Sequence, residues 1–324
     1  MTRAIRFYET GGTDVLRFEE WDPGSPGEGW VRVRHTAIGL NFIDTYHRTG
    51  LYPLSLPSGL GLEAAGVVEA VGAGVTRWKT GDRIAYATGP VGAYCEVANL
   101  PADRIVAVPD SISDELAAAM MLKGMTAWYL LRRTRAVRKG ETILFHAAAG
   151  GVGLLACQWA RHLGAIVIGT VGSDAKAELA RAHGCEHVIV YTKDNFVRRV
   201  REITGGAGVP VVYDSVGKAT FDGSLDCLAP LGLMVSFGNA SGPPPPVDLG
   251  MLALRGSLFI TRPTLMTYVA REEDLQEAAR ALFEVVAAGA VKVEIHQRYA
   301  LADAARAHQD IEARKTTGAT VLIP

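Results

Sequence analysis

Residues 141–163 read Glu-Thr-Ile-Leu-Phe-His, then Ala-Ala-Ala-Gly-Gly-Val-Gly, then Leu-Leu-Ala-Cys-Gln-Trp-Ala-Arg-His-Leu, and few folds accommodate that order. An apolar run, a turn nearly without side chains and an amphipathic stretch describe a strand, a tight turn and a helix. At Gly150, Gly151 and Gly153 the missing Cβ atoms let backbone approach a pyrophosphate and let the helix pack on its strand. The helix N-terminus adds unpaired N–H groups and the positive end of the dipole. Val152, Leu155, Ala156, Trp159 and Leu163 keep one apolar face toward a sheet. Three glycines alone would equally close a hairpin; the flanking strand and helix supply the context that a dinucleotide site requires.

Further strand candidates follow Thr142–His146, at Ile166–Val171, His187–Tyr191, Val211–Ser215, Leu233–Gly238 and Leu258–Thr261. With helices between the early ones, these six predict an α/β, doubly wound parallel sheet. Where the second strand ends, a protein selecting NAD places an acidic residue for the ribose hydroxyls. This chain has Gly172 and Ser173 there, with Lys176 one turn later. A donor and a cation would receive a 2′-phosphate, which favours NADPH as the cofactor, although Asp174 opposes it. The alternative for Lys176 is an ordinary solvated helix lysine.

The first third is different: Trp30–His35 alternates, and Ala65–Val75 is apolar but broken by Gly66, Gly72 and Gly74. Short strands joined by tight turns are the natural reading. Helix begins at Asp114–Leu131 and recurs at Glu272–Ala288, while Pro243–Pro246 read as a stiff extended connector and Thr320–Ile323 as a closing strand expected to rejoin the first domain. The length of 324 residues, 48% of them hydrophobic, suits two packed cores. With 33 basic against 34 acidic side chains, neither nucleic acid nor a membrane surface is an expected partner. No uninterrupted apolar run of about 18 residues occurs, and Met1–Thr10 lack the apolar core of a signal peptide, so a cytoplasmic location is expected. Cys95, Cys157, Cys185 and Cys227 are too scattered for a disulfide framework or a paired metal site and are read as reduced, buried thiols. His146 reads as a buried, hydrogen-bonded histidine rather than a base.

Gly140-Glu141, Leu144, Ala148-Ala149-Gly150-Gly151, Gly153, Gln158 and Arg161 reproduce the spacing of the quinone oxidoreductase and zeta-crystallin signature. Gly61-Leu62-Glu63, Gly66-Val67-Val68, Val71-Gly72 and Gly81-Asp82-Arg83 resemble the medium-chain dehydrogenase/reductase core. The resemblance covers essentially the whole chain. It implies a GroES-like, mostly β catalytic domain over 1–122 and 265–324, and a Rossmann domain over 123–264. Zinc relatives carry a cysteine in the segment matching Gly39–Asp44 and a histidine at the position of Leu62. Asn41 and Leu62 stand there instead, so no catalytic zinc is expected.

Without a Lewis acid, the easier chemistry is hydride delivery from NADPH to an acceptor that is already electrophilic, a quinone or an enone. The resemblance sets Asn41 and Tyr46 beside the nicotinamide, with Tyr52 and Arg262 near the acceptor, in a cleft between the domains. It sets Lys123 and Thr126 on the nicotinamide side and Tyr191 beside the 2′-phosphate. Ser215, Phe237, Gly238 and Asn239 fall where the cofactor crosses the strand ends. Ordinary packing is the competing reading for the tyrosines and Phe237, and an ion pair for Arg262. A homodimer is implied by resemblance alone. Three activities stay open: an NADPH:quinone oxidoreductase, an NADPH-dependent alkenal or enone reductase, and a non-catalytic NADPH-binding protein acting as a sensor or on RNA.

Overall fold

The computed structural model describes residues 1–324. It divides into one unit formed by Met1–Met125, Val269–Ala287 and Val293–Pro324, and a second formed by Thr126–Tyr268 and Ala288–Lys292.

The first unit begins with β1 (Thr2–Phe7), β2 (Arg17–Trp21), β3 (Trp30–Leu40), α1 (Phe42–Thr49) and β4 (Ser58–Gly59). It continues through β5 (Glu63–Val71), β6 (Arg83–Tyr86), β7 (Val97–Pro101), β8 (Val106–Ala107) and α2 (Asp114–Tyr129). β1, β2 and β4 form a three-stranded sheet. β3 alternates buried and accessible residues to Thr36 and is buried from Ala37 to Leu40, so one strand leaves solvent and enters the core. Val31, Val33, Ile38, Leu40, Val68 and Ile84 meet in that core.

Helix α2 stops two residues short of the expected Leu131, passing into a π turn over Leu130–Thr134. The Leu130 carbonyl accepts from the Tyr213 hydroxyl at 3.1 Å, a partner that no local pattern announces.

The second unit contains β9 (Thr142–Phe145), α3 (Gly151–His162), β10 (Ile166–Val171), α4 (Asp174–Ala182), β11 (His187–Val190) and α5 (Phe196–Ile203). Then come β12 (Val209–Asp214), α6 (Phe221–Asp226), β13 (Leu228–Ser236), α7 (Leu249–Leu254), β14 (Phe259–Thr261) and α8 (Leu265–Tyr268). The six strands are parallel in the order β11-β10-β9-β12-β13-β14. The order reverses between β9 and β12, the position where doubly wound sheets bind nucleotides. β13 starts five residues before the sequence signal at Leu233, because Pro230, Leu231 at φ 62° and Gly232 interrupt its apolar run while its register with β12 shifts. Pro243–Pro246 lie in a stretch without helix or strand.

The chain then adds α9 (Glu272–Ala287), β15 (Ile295–Ala300), α10 (Ala304–Glu312) and β16 (Ala319–Ile323). β16 pairs parallel with β15 and antiparallel with β3, extending the seven-stranded sheet of the first unit. Val321 and Leu322 are fully buried, which stabilises this closure by about 1.5–3 kcal/mol per side chain.

Candidate active site

At the tip of β9 the chain makes the glycine turn. Ala147 sits at φ 53°, and its carbonyl accepts from Gly150 N at 2.8 Å. Gly150 is the N-cap of α3, in extended backbone with no side chain capping the helix. A Cβ on Gly153 would fall 2.3 Å from the Ala147 oxygen and 2.7 Å from that of Ala148, so only glycine lets helix and turn pack this closely. The first-turn N–H groups of α3, without side-chain acceptors, fit a pyrophosphate.

Beneath the turn, His146 is fully buried, with Nδ1 2.8 Å from Thr170 Oγ1 and Nε2 3.0 Å from Ser224 Oγ. Ser224 donates its own proton to Asp214 at 2.9 Å, so His146 donates from Nε2 and accepts at Nδ1. Burial lowers its pKa. It is a structural histidine, as the sequence reading held.

At the tip of β10, Ser173 caps α4 and accepts from Lys176 N at 3.4 Å. Tyr191 follows β11, partly exposed, with its N–H on the Val171 carbonyl at 3.0 Å. Lys193 Nζ lies 2.5 Å from Asp174 Oδ2. This cation pairs with the carboxylate that the sequence reading set against a 2′-phosphate; nineteen residues separate the pair, and no sequence spacing could have linked them. Along the remaining strand ends, Phe237 N donates to Asp214 O at 2.8 Å, and Ala240 N to Ser215 O at 3.1 Å. The Phe237 ring lies 5.8 Å from that of Phe145. Arg262 Nη1 reaches Ser236 Oγ at 3.3 Å and Gly238 O at 3.2 Å. Ser215, Phe237, Gly238, Asn239 and Arg262 therefore gather at the C-terminal ends of β12, β13 and β14.

In the first unit, Asn41 opens α1 and is buried. Its Nδ2 donates to Glu63 Oε2 at 2.6 Å, and Lys123 Nζ donates to the same oxygen at 3.2 Å. Glu63 Oε1 accepts from Leu122 N at 2.7 Å. A Cβ on Gly39 would stand 2.3 Å from Glu63 Oε2, so a bare backbone makes room for this carboxylate. Because a carboxylate only accepts, the Asn41 amide nitrogen must face it. The sequence reading used Glu63 as framework and missed this role; its signal was a charged residue opening a strand that runs on through the apolar Ala64–Val68.

Tyr46, on α1, meets Tyr52 edge-on at 5.1 Å and Phe42 at 5.5 Å between ring centroids, and Tyr52 N donates to Tyr46 O at 3.1 Å. Thr126, on α2, is half-buried. Leu62 is buried. All four cysteines are free and buried; Cys95 is pushed up to about 12 by burial, an unreactive thiol.

Two family models match: the alcohol dehydrogenase GroES-like domain over residues 27–110 and zinc-binding dehydrogenase over residues 151–284. A quinone oxidoreductase from Pseudomonas aeruginosa is 59% identical over 100% of both chains. The chain belongs to the quinone oxidoreductase family. Within that family, the structure of Escherichia coli quinone oxidoreductase complexed with NADPH superposes at a TM-score of 0.98, with 52% identity, covering 99% of this chain and 100% of that one. A 2-haloacrylate reductase from Burkholderia sp is 47% identical, covering 100% of this chain and 99% of that one. The GroES-like and Rossmann reading of the fold is thus established. One family model carries zinc in its description, whereas Asn41 and Leu62 stand where the resemblance given above implies the cysteine and histidine of zinc relatives.

Proposed function

We propose that the chain reduces quinones with electrons from NADPH, without zinc. The observation that carries this is the glycine turn capping α3, beside the Ser173, Lys176, Tyr191 and Lys193 group, in a chain 52–59% identical to named quinone oxidoreductases. NADPH, when bound, supplies the hydride equivalent. Gly150, Gly151, Val152 and Gly153 would hold the pyrophosphate. Ser173, Lys176 and Tyr191 would hold the 2′-phosphate, with Lys193 screening Asp174. Ser215, Phe237, Gly238 and Asn239 would line the cofactor's path over the strand ends. Asn41, its amide oriented by Glu63, would donate to the ribose or to an acceptor oxygen, with Tyr46, Lys123 and Thr126 on the nicotinamide side. Tyr52 and Arg262 would face the acceptor.

A second reading, reduction of electron-poor alkenes, is favoured by the 47% identity to a 2-haloacrylate reductase. Both are tested by oxidation of NADPH and NADH by chelator-treated protein with 1,4-benzoquinone, 9,10-phenanthrenequinone and an alkenal. NADPH-selective quinone turnover that survives chelation is expected. Turnover of the alkenal alone would establish the second reading, and tight NADPH binding without turnover would overturn both.

The partner would be a second copy. β14 is an open sheet edge with Phe259 59% exposed, while Leu231, Leu249 and Leu254 are 68%, 76% and 91% exposed; a strand edge with apolar neighbours is a pairing surface. Phe259→Lys should convert a dimer in sedimentation to a monomer. A wild-type chain that sediments as a monomer would refute the pairing. No helix is long and apolar enough to cross a membrane; the four reduced cysteines support a cytoplasmic location.

A further inference from the structure

Behind α1, four fully or nearly fully buried side chains form one directional hydrogen-bond chain inside the first unit. Arg48 Nη1 lies 3.3 Å from His308 Nδ1, and His308 Nε2 lies 3.2 Å from the Tyr94 hydroxyl. That hydroxyl donates to Asp44 Oδ2 at 2.9 Å, and Asn41 N donates to the same oxygen at 2.9 Å. Arginine cannot accept, so His308 Nδ1 must carry no proton. Its Nε2 proton then goes to Tyr94, and the Tyr94 proton to Asp44. Every donor in the chain is set by one cation.

Arg48 is itself held by Glu312 Oε1 at 2.6 Å and Gly11 O at 3.2 Å. Burial and the neighbouring Arg48 keep His308 neutral, down at about 3. Asp44, which also faces Lys123 and Glu63, is raised to about 7 by its burial, and its Oδ1 has no hydrogen-bond partner. The carboxylate thus depends on the donors at Oδ2. Asn41 and Tyr46 ride on the helix turn that it caps.

We propose that His308 is a positioning residue for the reaction: through Tyr94 it holds Asp44 on the first turn of α1 and so fixes the placement of Asn41 and Tyr46. This rests on the nicotinamide roles given above to those two residues. His308 lies on α10, far along the chain from the groups it aligns, and acts on them only through Tyr94.

The test uses the full chain with Tyr94→Phe, His308→Gln and His308→Asn. Glutamine keeps a donor where Nε2 stood; asparagine keeps only the acceptor facing Arg48. Measured with NADPH and 1,4-benzoquinone, Tyr94→Phe and His308→Asn should each lower kcat about tenfold, as small misplacements of reacting groups do, while the NADPH Kd stays within about twofold. His308→Gln should retain kcat within about threefold, and the double variant Tyr94→Phe/His308→Asn should be no slower than either single one. Equal losses in the glutamine and asparagine variants, or multiplicative losses in the double variant, would overturn the proposal. If His308→Asn does not fold, the comparison of Tyr94→Phe with His308→Gln decides.

If the wild-type chain turns over no quinone, the proposed activity fails, and hydrogen exchange of Phe42–Thr49 judges the positioning claim. Protection lost there alone in Tyr94→Phe supports it; unchanged or uniformly lowered protection refutes it.

Discussion

In the proposed function the charges near α4 carry the cofactor choice. Lys176→Ala should raise the KM for NADPH about 10- to 100-fold, the size of a lost charge-assisted contact, and leave that for NADH within about twofold. Equal effects on both would sink the role. Lys193→Ala should raise the NADPH value by a smaller factor, about threefold, because the pair it breaks with Asp174 is exposed and screened. Ala147, at φ 53° beside the glycine turn, stores strain that glycine would not. Ala147→Gly should raise the Tm and add about 0.5–1 kcal/mol at this left-handed position. A lower Tm would mean that the methyl group packs more favourably than the backbone is strained. The glycine turn and Ser173 were legible because local spacing encodes them. Glu63, Lys193 and the His308 chain were not, since each acts on a partner brought close only by tertiary folding.

Among elements, β10 was legible from end to end and β9 nearly so, because a parallel strand buried on both faces reads as an unbroken apolar run. β13 was half hidden because Pro230 and Gly232 break its pattern without ending the strand. The end of α2 was hidden because a phenol from β12, not a capping residue, takes the Leu130 carbonyl. β5 opens with Glu63, fully buried against Lys123. Glu63→Gln leaves the ammonium without its countercharge and should cost about 3–5 kcal/mol, the penalty for breaking a buried pair, read as a lower urea midpoint. A change below about 1 kcal/mol would mean that water already reaches the pair.

Over the whole molecule, proton uptake sets the response to acid. His35 is lowered by burial from 6.5 to about 4 and His308 to about 3; His47 and His146 are lowered by the same cause. Each binds fewer protons in the native chain than in the unfolded one, so its contribution is present above pH 6.5 and lost as the pH falls. Asp44 acts oppositely: raised from 3.8 to about 7, its contribution is present in acid and lost as the pH rises toward 7. Four histidines outweigh one carboxylate around pH 5, so stability should climb from pH 5 to 6.5, with His308→Gln giving a shallower slope in urea titrations. A flat profile would mean that the histidines stay solvated enough to protonate in the native state.

The three-segment make-up of the first unit has a consequence for synthesis on the ribosome. β3 is made early, yet Leu40 pairs with Thr320 on β16, and 320 − 40 = 280 residues must be added before that partner exists. The parallel sheet of the second unit, drawn from Thr126–Tyr268, can assemble while translation is still under way, whereas the first unit must wait with the Ile38–Leu40 end of β3 lacking its partner. The nascent chain is therefore most exposed to chaperones and proteases in the interval before β16 arrives.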